Sequence, residues 1–397
     1  MISQRATALK ASETMKITAL AKEMARAGKS VISLSAGEPD FKTPKHICDA
    51  AIKAIQDGKH GYTMNNGTPE LREAISAKLK RDNNLDYSPN DIVVSNGAKQ
   101  SIGFAILATI NEGDEVIIPA PYWVSYPSMV ELALGTPVTI RTAFESNFKL
   151  SPEALEAAIT PKTRGFILCS PSNPTGSCYT REELKALGNV LLKYPDIIVY
   201  SDEIYEYIVF EGKHISILEV VPELIDRTVL VNGHSKGFAM TGWRIGYMAG
   251  PEAVAKAVGK LQGQETSAPC HISQIAAEAA YKGSLEEVEK MRIAFKSRRN
   301  YLVNALNAIE GIDCPTPDGA FYVFPNISAY LGKKDANGTV YPDSTELCMY
   351  ILDQYGVACV PGDAFGEPDG LRLSYATSME NLEEAVKRIS AALANLS

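Results

Sequence analysis

Short apolar runs, each ending in turn residues with polar or aromatic side chains, recur along the first 235 residues. Between them lie longer segments with the apolar spacing of amphipathic helices, a pattern typical of parallel β/α units. Open α/β sheets bind ligands beyond the carboxyl ends of their strands. The sequence therefore predicts one site built from the residues that follow these runs. Five runs have this form: 91–95, 115–118, 165–169, 196–200 and 228–232.

The pattern changes after about residue 285. Residues 284–309 have the spacing of one or two long amphipathic helices, and residues 379–396 form another helical segment. Strands followed by a helix favour a smaller α+β domain. A helical segment at 16–27 is predicted to pack on that domain or on a partner. The short apolar runs of this region are 320–324, 356–360 and 371–375.

Composition argues against several classes of protein. The 39 basic and 47 acidic residues give a net charge of −8, which is unfavourable for a nucleic-acid partner. No apolar run approaches the ~20 residues that span a bilayer, and no apolar signal core follows the N-terminus, so we expect a cytoplasmic protein without a membrane partner. Seven cysteines without Cys-x-x-Cys, and five histidines without His-Glu-x-x-His, argue against a disulfide framework and a metal site.

Lys236 and Arg244 follow the last of the five runs. Desolvation of a lysine at a strand end lowers the pKa of its amine and makes it nucleophilic, as Schiff-base chemistry requires. An arginine between Gly242 and Gly246 can approach a phosphate closely and bind it with two hydrogen bonds. Taken alone, a loop lysine is most often solvated, and such an arginine most often forms a surface ion pair.

Two interpretations, one structural and one functional, are open for each of Asp202, Tyr205 and Arg372. A carboxylate closing an apolar strand must be paired, so Asp202 is either a helix cap or structural ion pair, or the partner of a pyridinium nitrogen. Tyr205, three residues later, either faces the same way or simply packs. Arg372 lies in a strand-like run, so it must pair with a protein acid or with a substrate carboxylate.

Four turn signals complete the candidate set. Gly97 precedes an apolar helix, and helix N-termini after glycine turns bind phosphate through backbone amides, although a plain strand–helix connection looks the same. Trp123 follows Pro-Ala-Pro-Tyr and either stacks on a planar ligand or packs in the core. The segment 173–176, Asn-Pro-Thr-Gly, is first of all a turn. Gly37 predicts a turn, which either lets the backbone approach a ligand closely or has no ligand beside it.

Taken together, these segments resemble a class I/II, fold-type I aminotransferase that depends on pyridoxal 5′-phosphate (PLP). The resemblance is strongest to bacterial aspartate aminotransferases of the subgroup that includes bifunctional aspartate/prephenate enzymes. It extends from about residue 10 to the C-terminal helix. The matching stretches are SAGEPDF (35–41), GYTMNNGTPELREAI (61–75), GAKQ (97–100), PYWVSYP (121–127), NPTG (173–176), SDEIYE (201–206), SKGFAMTGWRIGY (235–247), GAFYVF (319–324) and LRLSYATS (371–378).

The resemblance implies an α/β fold: a large domain with a mainly parallel sheet and helices on both faces, and a smaller α+β domain. With the change in pattern along the chain, it gives three expected regions. Residues 1–45 would be an N-terminal arm with part of the small domain, 46–284 the large PLP-binding domain, and 285–397 the small C-terminal domain. It also implies a homodimer with shared active sites.

The resemblance assigns roles around the cofactor. Lys236 would bind PLP covalently and shuttle a proton, and Asp202 would pair with the ring nitrogen. Tyr205 and Asn173 would hydrogen-bond the 3-oxygen, and Trp123 would stack on the ring. The residues implied at the cofactor phosphate are Gly97, Ala98, Lys99, Ser235 and Arg244, with Tyr62 reaching the phosphate of the neighbouring subunit.

The resemblance also assigns the substrate contacts. Arg372 would bind the α-carboxylate with Gly37 closing over it, and Lys99 matches the lysine that meets the distal carboxylate of acidic substrates. An N-terminal segment that closes over the substrate is linked to prephenate use. The implied substrate-binding residues are Lys10, Ser12, Thr14, Gly37, Lys99, Trp123, Asn173 and Arg372.

The chain departs from the pattern of this family just before the lysine. His234 stands where an apolar or small residue is usual, and Gly233 stands where many relatives have a phosphate-binding serine. The departure concerns the phosphate contacts of this turn and leaves Lys236 in place.

The implied activity is transfer of the amino group of L-aspartate to 2-oxoglutarate by a PLP/PMP ping-pong mechanism. Alternatives are a bifunctional aspartate/prephenate aminotransferase and an aminotransferase with other specificity. A decarboxylase, β-lyase or kynurenine-type enzyme shares the fold, but Lys99 favours a dicarboxylate. A transcriptional regulator would need an added basic DNA-binding domain, and a dehydrogenase would need Gly-x-Gly-x-x-Gly after its first strand, which does not occur.

Overall fold

The structure is a computed structural model that describes residues 1–3, 6, 7, 9 and 13–397. Its strands are β1 (Ile32–Ser33), β2 (Ile92–Ser95), β3 (Glu115–Ala120), β4 (Thr136–Arg141), β5 (Thr163–Cys169), β6 (Ile198–Asp202), β7 (Thr228–Gly233), β8 (Gly246–Ala249), β9 (Tyr322–Val323), β10 (Val357–Ala358), β11 (Val360–Pro361) and β12 (Leu371–Ser374).

The α-helices include short single turns and one long helix in the C-terminal third. They are α1 (Glu13–Arg26), α2 (Lys45–Gln56), α3 (Pro69–Asn83), α4 (Ala98–Thr109), α5 (Tyr126–Leu132), α6 (Pro152–Ala158), α7 (Arg181–Leu192), α8 (Ile217–Val220), α9 (Glu252–Glu265), α10 (His271–Lys282), α11 (Glu286–Asn307), α12 (Ser344–Tyr355) and α13 (Met379–Ala394). Within the described residues, none of them is both long and apolar enough to cross a bilayer.

Strands β2 to β8 form one seven-stranded sheet in the order β2-β8-β7-β6-β5-β3-β4. Strand β8 is antiparallel to both of its neighbours, so β2 runs in the same direction as β7 and the rest of the sheet. The five strands predicted from the sequence therefore end at the same edge, as expected. Strands β4 and β8 were not predicted, because β4 is a half-exposed edge strand and β8 is a four-residue strand that begins at Gly246.

Helices cover both faces of this sheet. In β5, Phe166 and Leu168 pack into one apolar cluster with Leu184 of α7, whereas Ile167 points into a second cluster with Ile106 of α4. Alternating side chains of a strand face opposite sides, and burial of both faces explains why the strand is an unbroken apolar run. The helices begin where the sequence provides caps. Thr180, for example, accepts a hydrogen bond from the N–H of Glu183 at 3.2 Å.

The C-terminal region forms a smaller α+β unit. A three-stranded antiparallel sheet, in the order β11-β12-β9, packs with helices α11, α12 and α13. The N-terminal segment joins this unit, because β1 pairs in parallel with β10. Helix α1 contributes Ile17, Ala21 and Met24 to a cluster with Leu352 and Ala358. Helix 16–27 thus packs on the small domain, one of its two expected positions. The boundaries at 45/46 and 284/285 stay predictions.

Candidate active site

Lys236 lies in the turn that follows β7, at the edge where the parallel strands end. Its Nζ donates a hydrogen bond to the carbonyl oxygen of Gly37 at 2.5 Å. The same nitrogen lies 5.8 Å from the ring centroids of both Tyr205 and Phe321. The amine of the half-buried Lys236 therefore lies beside aromatic rings and backbone.

In this environment the protonated side chain of Lys236 loses its proton more easily than an ordinary lysine. Burial lowers the pKa of Lys236 to about 8, and the cations of Arg372 and Arg244 contribute to the lowering. The carboxylates of Glu38 and Asp202 oppose it but do not restore the ordinary pKa. A large fraction of the amine is consequently neutral near pH 8, the form that acts as a nucleophile or accepts a proton.

Asp202 is the last residue of β6 and is only 4% exposed. The hydroxyl of Tyr126 donates to its Oδ2 at 2.7 Å, and the N–H of Ile204 donates to its Oδ1 at 3.3 Å. Burial raises the pKa of Asp202 to about 6 despite these two donors. The carboxylate is thus ionised at neutral pH at an energetic cost, which a bound cation would offset.

A cradle for an anion lies at the N-terminus of α4. Gly97 has φ +86° and precedes the helix, and the guanidinium of Arg244 lies against it. Arg244 donates to the carbonyl oxygens of Thr241 at 2.9 Å and Asn96 at 3.2 Å. A Cβ on residue 97 would lie 2.6 Å from Nη2 of Arg244, so a side chain here would occupy the cradle. Helix amides and a guanidinium together favour a phosphate.

Ser235 and its two preceding residues complete the turn before the lysine. Ser235 is buried next to Lys236. A Cβ on Gly233 would lie 2.8 Å from the Cα of Gly246, so the close approach of β7 and β8 requires glycine at 233. A Cβ on Gly246 would collide with the backbone of Gly97 and Ala98, so glycine at 246 lets β8 approach the start of α4. His234 points away from the site, with its ring 4.2 Å from that of Tyr281. Burial lowers the pKa of His234 to about 3, so it is a neutral core residue.

Arg372, on β12, is buried between the two parts of the chain. Its Nη1 donates to Oδ1 of Asn173 at 3.0 Å, and its Nη2 donates to the carbonyl of Ser35 at 2.8 Å. Its guanidinium carbon lies 4.5 Å from the ring centroid of Tyr322 and 5.1 Å from that of Phe365. Within the described residues, its buried Nε has no hydrogen-bond partner. Among the residues that the structure describes, no carboxylate bonds this cation, which favours an anionic ligand.

Trp123 and Lys99 lie together at the mouth of the site. Nζ of Lys99 is 5.2 Å from the Trp123 ring centroid, and the Trp123 ring meets that of Tyr126 edge to face at 5.3 Å. Burial lowers the pKa of Lys99, and the Arg244 cation lowers it further. The ammonium is thus partly desolvated while Lys99 stays accessible, and next to a second cation it is well placed to attract an acidic group.

Sequence reasoning missed two tyrosines of the site. Tyr126 donates to Asp202, and the hydroxyls of Tyr205 and Tyr322 lie 3.0 Å apart in the core. Both missed residues stand in stretches that resemble the family, PYWVSYP and GAFYVF. Their aromatic character alone predicted only packing, and the spacing of Tyr126 three residues after Trp123 was the one available signal.

Some predicted site residues are not brought into the site by this single chain. The Tyr62 side chain is fully exposed, at 100% relative accessibility. Lys10 and Ser12 lie outside the described residues, as does the side chain of Thr14. Among the residues that the structure describes, no group of three or more His, Cys, Asp or Glu side chains is arranged to hold a metal ion.

Known proteins similar to this chain cover its whole length. A 51% identical relative, the aspartate/prephenate aminotransferase of Nitrosomonas europaea, aligns over 395 residues and 99% of each chain. The aspartate aminotransferase of Bacillus subtilis is 48% identical over 98% of each chain. Among solved structures, the aspartate aminotransferase of Rhizobium meliloti superposes with a TM-score of 0.97 at 45% identity, covering 100% of both chains.

A further solved structure, the Thermus thermophilus aspartate aminotransferase with maleate, gives a TM-score of 0.92 at 41% identity over 99% of each chain. These structures share the α/β fold with a mainly parallel sheet, and the predicted fold class is confirmed. The family described as aminotransferase class I and II matches residues 29–389. Since the match spans nearly the entire chain and includes every strand described above, this protein belongs to the class I and II aminotransferases.

Proposed function

We propose that this aminotransferase transfers the amino group of L-aspartate to 2-oxoglutarate with PLP as its cofactor. The observation that carries the proposal is the position of Lys236: its amine lies beside the Tyr205 and Phe321 rings, where burial lowers its pKa to about 8 and the Arg372 cation lowers it further. A neutral amine such as that of Lys236 condenses with an aldehyde. The buried Asp202 carboxylate would pair with a cation, and the Arg372 guanidinium would pair with an anion. An amino acid and PLP together supply these partners. The names of the relatives support aspartate as the donor.

The residues present fit PLP. Arg244, Ser235 and the amides after Gly97 would hold the phosphate, since a Cβ at residue 97 would fill the space beside the guanidinium. Asp202 would keep the ring nitrogen protonated, because pairing relieves its buried charge. Trp123 would cover the ring, and Tyr205 with Asn173 would hydrogen-bond the 3-oxygen. When bound, PLP supplies the electron sink that acidifies the substrate Cα–H.

Lys236 would move the proton. Its Nζ, about half of it neutral at pH 8, would accept the proton of the substrate Cα and hold it for return during the transfer. The aromatic rings around it exclude water and keep its pKa low. Its hydrogen bond to the carbonyl of Gly37 places the amine beside the segment implied to close over the substrate.

Two cations would select the substrate. Arg372, with its Nε still available and its other nitrogens fixed by Asn173 and Ser35, would bind the α-carboxylate and orient the bond to be broken. Lys99 would meet the second carboxylate of aspartate or glutamate. A charge-assisted hydrogen bond of this kind contributes ~1.5–3 kcal/mol, or roughly 10- to 150-fold in rate.

The active unit is proposed to be a homodimer. The fully exposed Tyr62 lies in a stretch whose Ile52, Ile55 and Met64 side chains are also more than half exposed. Burial of these apolar groups against a second copy would remove them from water and carry Tyr62 to the partner's phosphate.

A second activity, on prephenate, is proposed because several relatives at about 50% identity are named aspartate/prephenate aminotransferases. Lys10, Ser12 and Thr14 are the residues proposed to distinguish the two substrates. Lys10→Ala should reduce prephenate turnover more than oxaloacetate turnover, and an equal loss on both would remove Lys10 from this role.

Substrate choice is tested with Lys99→Leu, matched by Lys260→Leu, which removes an exposed lysine from α9. Steady-state kcat/KM is measured with aspartate, alanine and phenylalanine. Lys99→Leu should lower kcat/KM for aspartate by about 10- to 150-fold and change the other two much less. Lys260→Leu should behave like the wild type. An equal loss on all three donors would refute the dicarboxylate preference while leaving the aminotransferase activity standing.

A further inference from the structure

Residues 362–370 form a compact loop, the 362–370 loop, that leads directly into β12 and Arg372. The N–H of Gly362 donates to the carbonyl of Gly370 at 3.0 Å, and the N–H of Glu367 donates to the carbonyl of Gly362 at 3.1 Å. At Gly362 and Gly370 an added Cβ would collide with the loop backbone and with the Phe324 ring, respectively. The loop is closed on itself and should therefore move as one piece.

The same loop contacts the proposed site at two points. The buried ring of Phe365 lies 5.1 Å from the Arg372 guanidinium. The carbonyl of Phe365 accepts a hydrogen bond from the N–H of Tyr122 at 3.1 Å, and Tyr122 directly precedes Trp123. A shift of the loop would therefore displace the stacking partner of Arg372 and strain the segment that carries Trp123.

Arg141, the last residue of the edge strand β4, holds this loop against the large sheet. Its Nε donates to Oε2 of Glu367 at 2.7 Å and its Nη2 donates to Oε1 at 2.5 Å, which makes the pair bidentate. Nη2 also pairs with the carboxylate of Asp369. Glu367 is only 4% exposed, whereas 56% of the Arg141 side chain is accessible. Without Arg141, the buried carboxylate of Glu367 would lose its counter-ion.

Apolar packing covers only part of this junction, where Phe148, Phe324, Val360 and Phe365 form one buried cluster. Phe148, with φ +57°, packs edge to face on Phe324 at 5.5 Å, but a cavity of about 380 Å³ opens beside it. The cavity is lined by Arg141, Thr142, Ala143, Phe144, Glu145, Phe148, Asn326, Glu367, Asp369 and Gly370. Because side chains leave this space open on the side of β4, the ion pairs of Arg141 hold the loop there, in addition to the apolar cluster and the Tyr122–Phe365 hydrogen bond.

We propose that Arg141 is a positioning residue for substrate binding: by pairing with Glu367 and Asp369 it fixes the 362–370 loop, and through Phe365 it fixes Arg372. Arg141 itself touches neither substrate nor cofactor. The inference rests on the proposed function in one respect, since it takes Arg372 to bind the substrate carboxylate. It adds a residue of the edge strand, outside the site, to the determinants of carboxylate affinity.

The test uses the PLP-loaded enzyme with Arg141→Gln, Arg141→Lys and the matched control Arg164→Gln, which removes an arginine of β5 that bonds backbone carbonyls. Five quantities are measured: hydrogen exchange of the 362–370 amides without substrate, the Kd of maleate from visible absorbance, kcat and KM for aspartate, and the melting temperature. Maleate is a four-carbon dicarboxylate and reports carboxylate binding without turnover.

Arg141→Gln should speed exchange in the loop and raise both the maleate Kd and the aspartate KM by roughly 10-fold, with kcat changed by less than about 3-fold. Arg141→Lys should recover part of the affinity, and Arg164→Gln should match the wild type. If Arg141→Gln is not folded, Glu367→Gln removes the same ion pair with little change in volume and should give the same result.

Wild-type exchange and maleate affinity in Arg141→Gln would overturn the inference. So would a lowered melting temperature with unchanged Kd and KM, because a purely structural role moves stability alone. Arg372→Gln separates the two proposals. If it abolishes maleate binding while Arg141→Gln does not weaken it, the proposed function stands and the role of Arg141 fails. If Arg372→Gln keeps maleate affinity, the carboxylate role of Arg372 fails, and the inference fails with it.

Discussion

Replacing Asp202 by asparagine should have opposite effects on stability and activity. The carboxyl binds its proton more tightly in the folded chain, where its pKa is about 6, than at its ordinary value of 3.8. The ionised form is therefore disfavoured by folding. Each tenfold difference in proton affinity is worth 1.36 kcal/mol, so the charge destabilises the apoprotein by ~3 kcal/mol at pH 8. Asparagine removes the charge, and the Tyr126 hydroxyl can accept from its amide as readily as it donates to Asp202.

The sign of this effect fixes its pH dependence. A folded pKa above the unfolded one means that the cost is absent below pH 3.8, grows between pH 3.8 and 6, and is complete above pH 6. The stabilisation of Asp202→Asn should thus be about half as large at pH 5 as at pH 8. For a chain of this length ~3 kcal/mol corresponds to ~4 °C in melting temperature.

The assay compares melting temperatures of the apoprotein at pH 5 and pH 8, together with turnover of the loaded enzyme. The exposed Asp226→Asn is the matched control, and it should change neither quantity. Asp202→Asn should raise the melting temperature at pH 8 yet lower the rate by well over ~10-fold, because the ring nitrogen loses its anion. An unchanged melting temperature with a near-normal rate would refute the argument that this carboxylate is held, at a cost, for a cationic partner.

Three further outcomes are expected. In the apoprotein, the rate at which an amine-reactive aldehyde modifies Lys236 should rise with pH with a midpoint near pH 8, and Lys236→Ala serves as the unreactive control. A midpoint above pH 10 would contradict the assigned environment. Gly97→Ala should weaken PLP binding in an equilibrium titration, because the new Cβ would displace Arg244. The control Gly113→Ala, with a similar φ of +85° and no neighbour within 4 Å, should leave PLP binding unchanged. Equal effects of the two substitutions would leave backbone strain as the only cause. Sedimentation at assay concentration should show a homodimer, and an active monomer would exclude the proposed role of Tyr62.

The sequence could predict that the candidate residues lie close together, because their positions at the strand ends follow from local patterns. Lys236, Asp202 and Asn173 each come just after an apolar run, and parallel strands necessarily end at one edge of their sheet. The α/β class followed from the same alternation, and the smaller C-terminal α+β unit followed from the change in that pattern after about residue 285. The roles of these residues stay predictions, but their placement depended on nothing beyond strand direction.

The partners of these residues could not be predicted, because they come from distant parts of the chain. Tyr126 reaches Asp202 across 76 positions, and Tyr322 reaches Tyr205 across 117. From the sequence, a tyrosine at a buried position predicts only packing. The partner of its hydroxyl is decided when two distant elements come together in the fold.

The junction that fixes Arg372 shows the same limit. Arg141 and Glu367 lie 226 positions apart, and in the sequence each is typical of a surface charge. Their meeting depends on how the small domain sits on the edge strand of the large sheet. The sequence by itself determined which side chains stand at the strand ends, because that depends on local periodicity. Only the tertiary structure decided which of them are desolvated, paired or held in position, because burial and pairing arise from contacts between segments far apart in the chain.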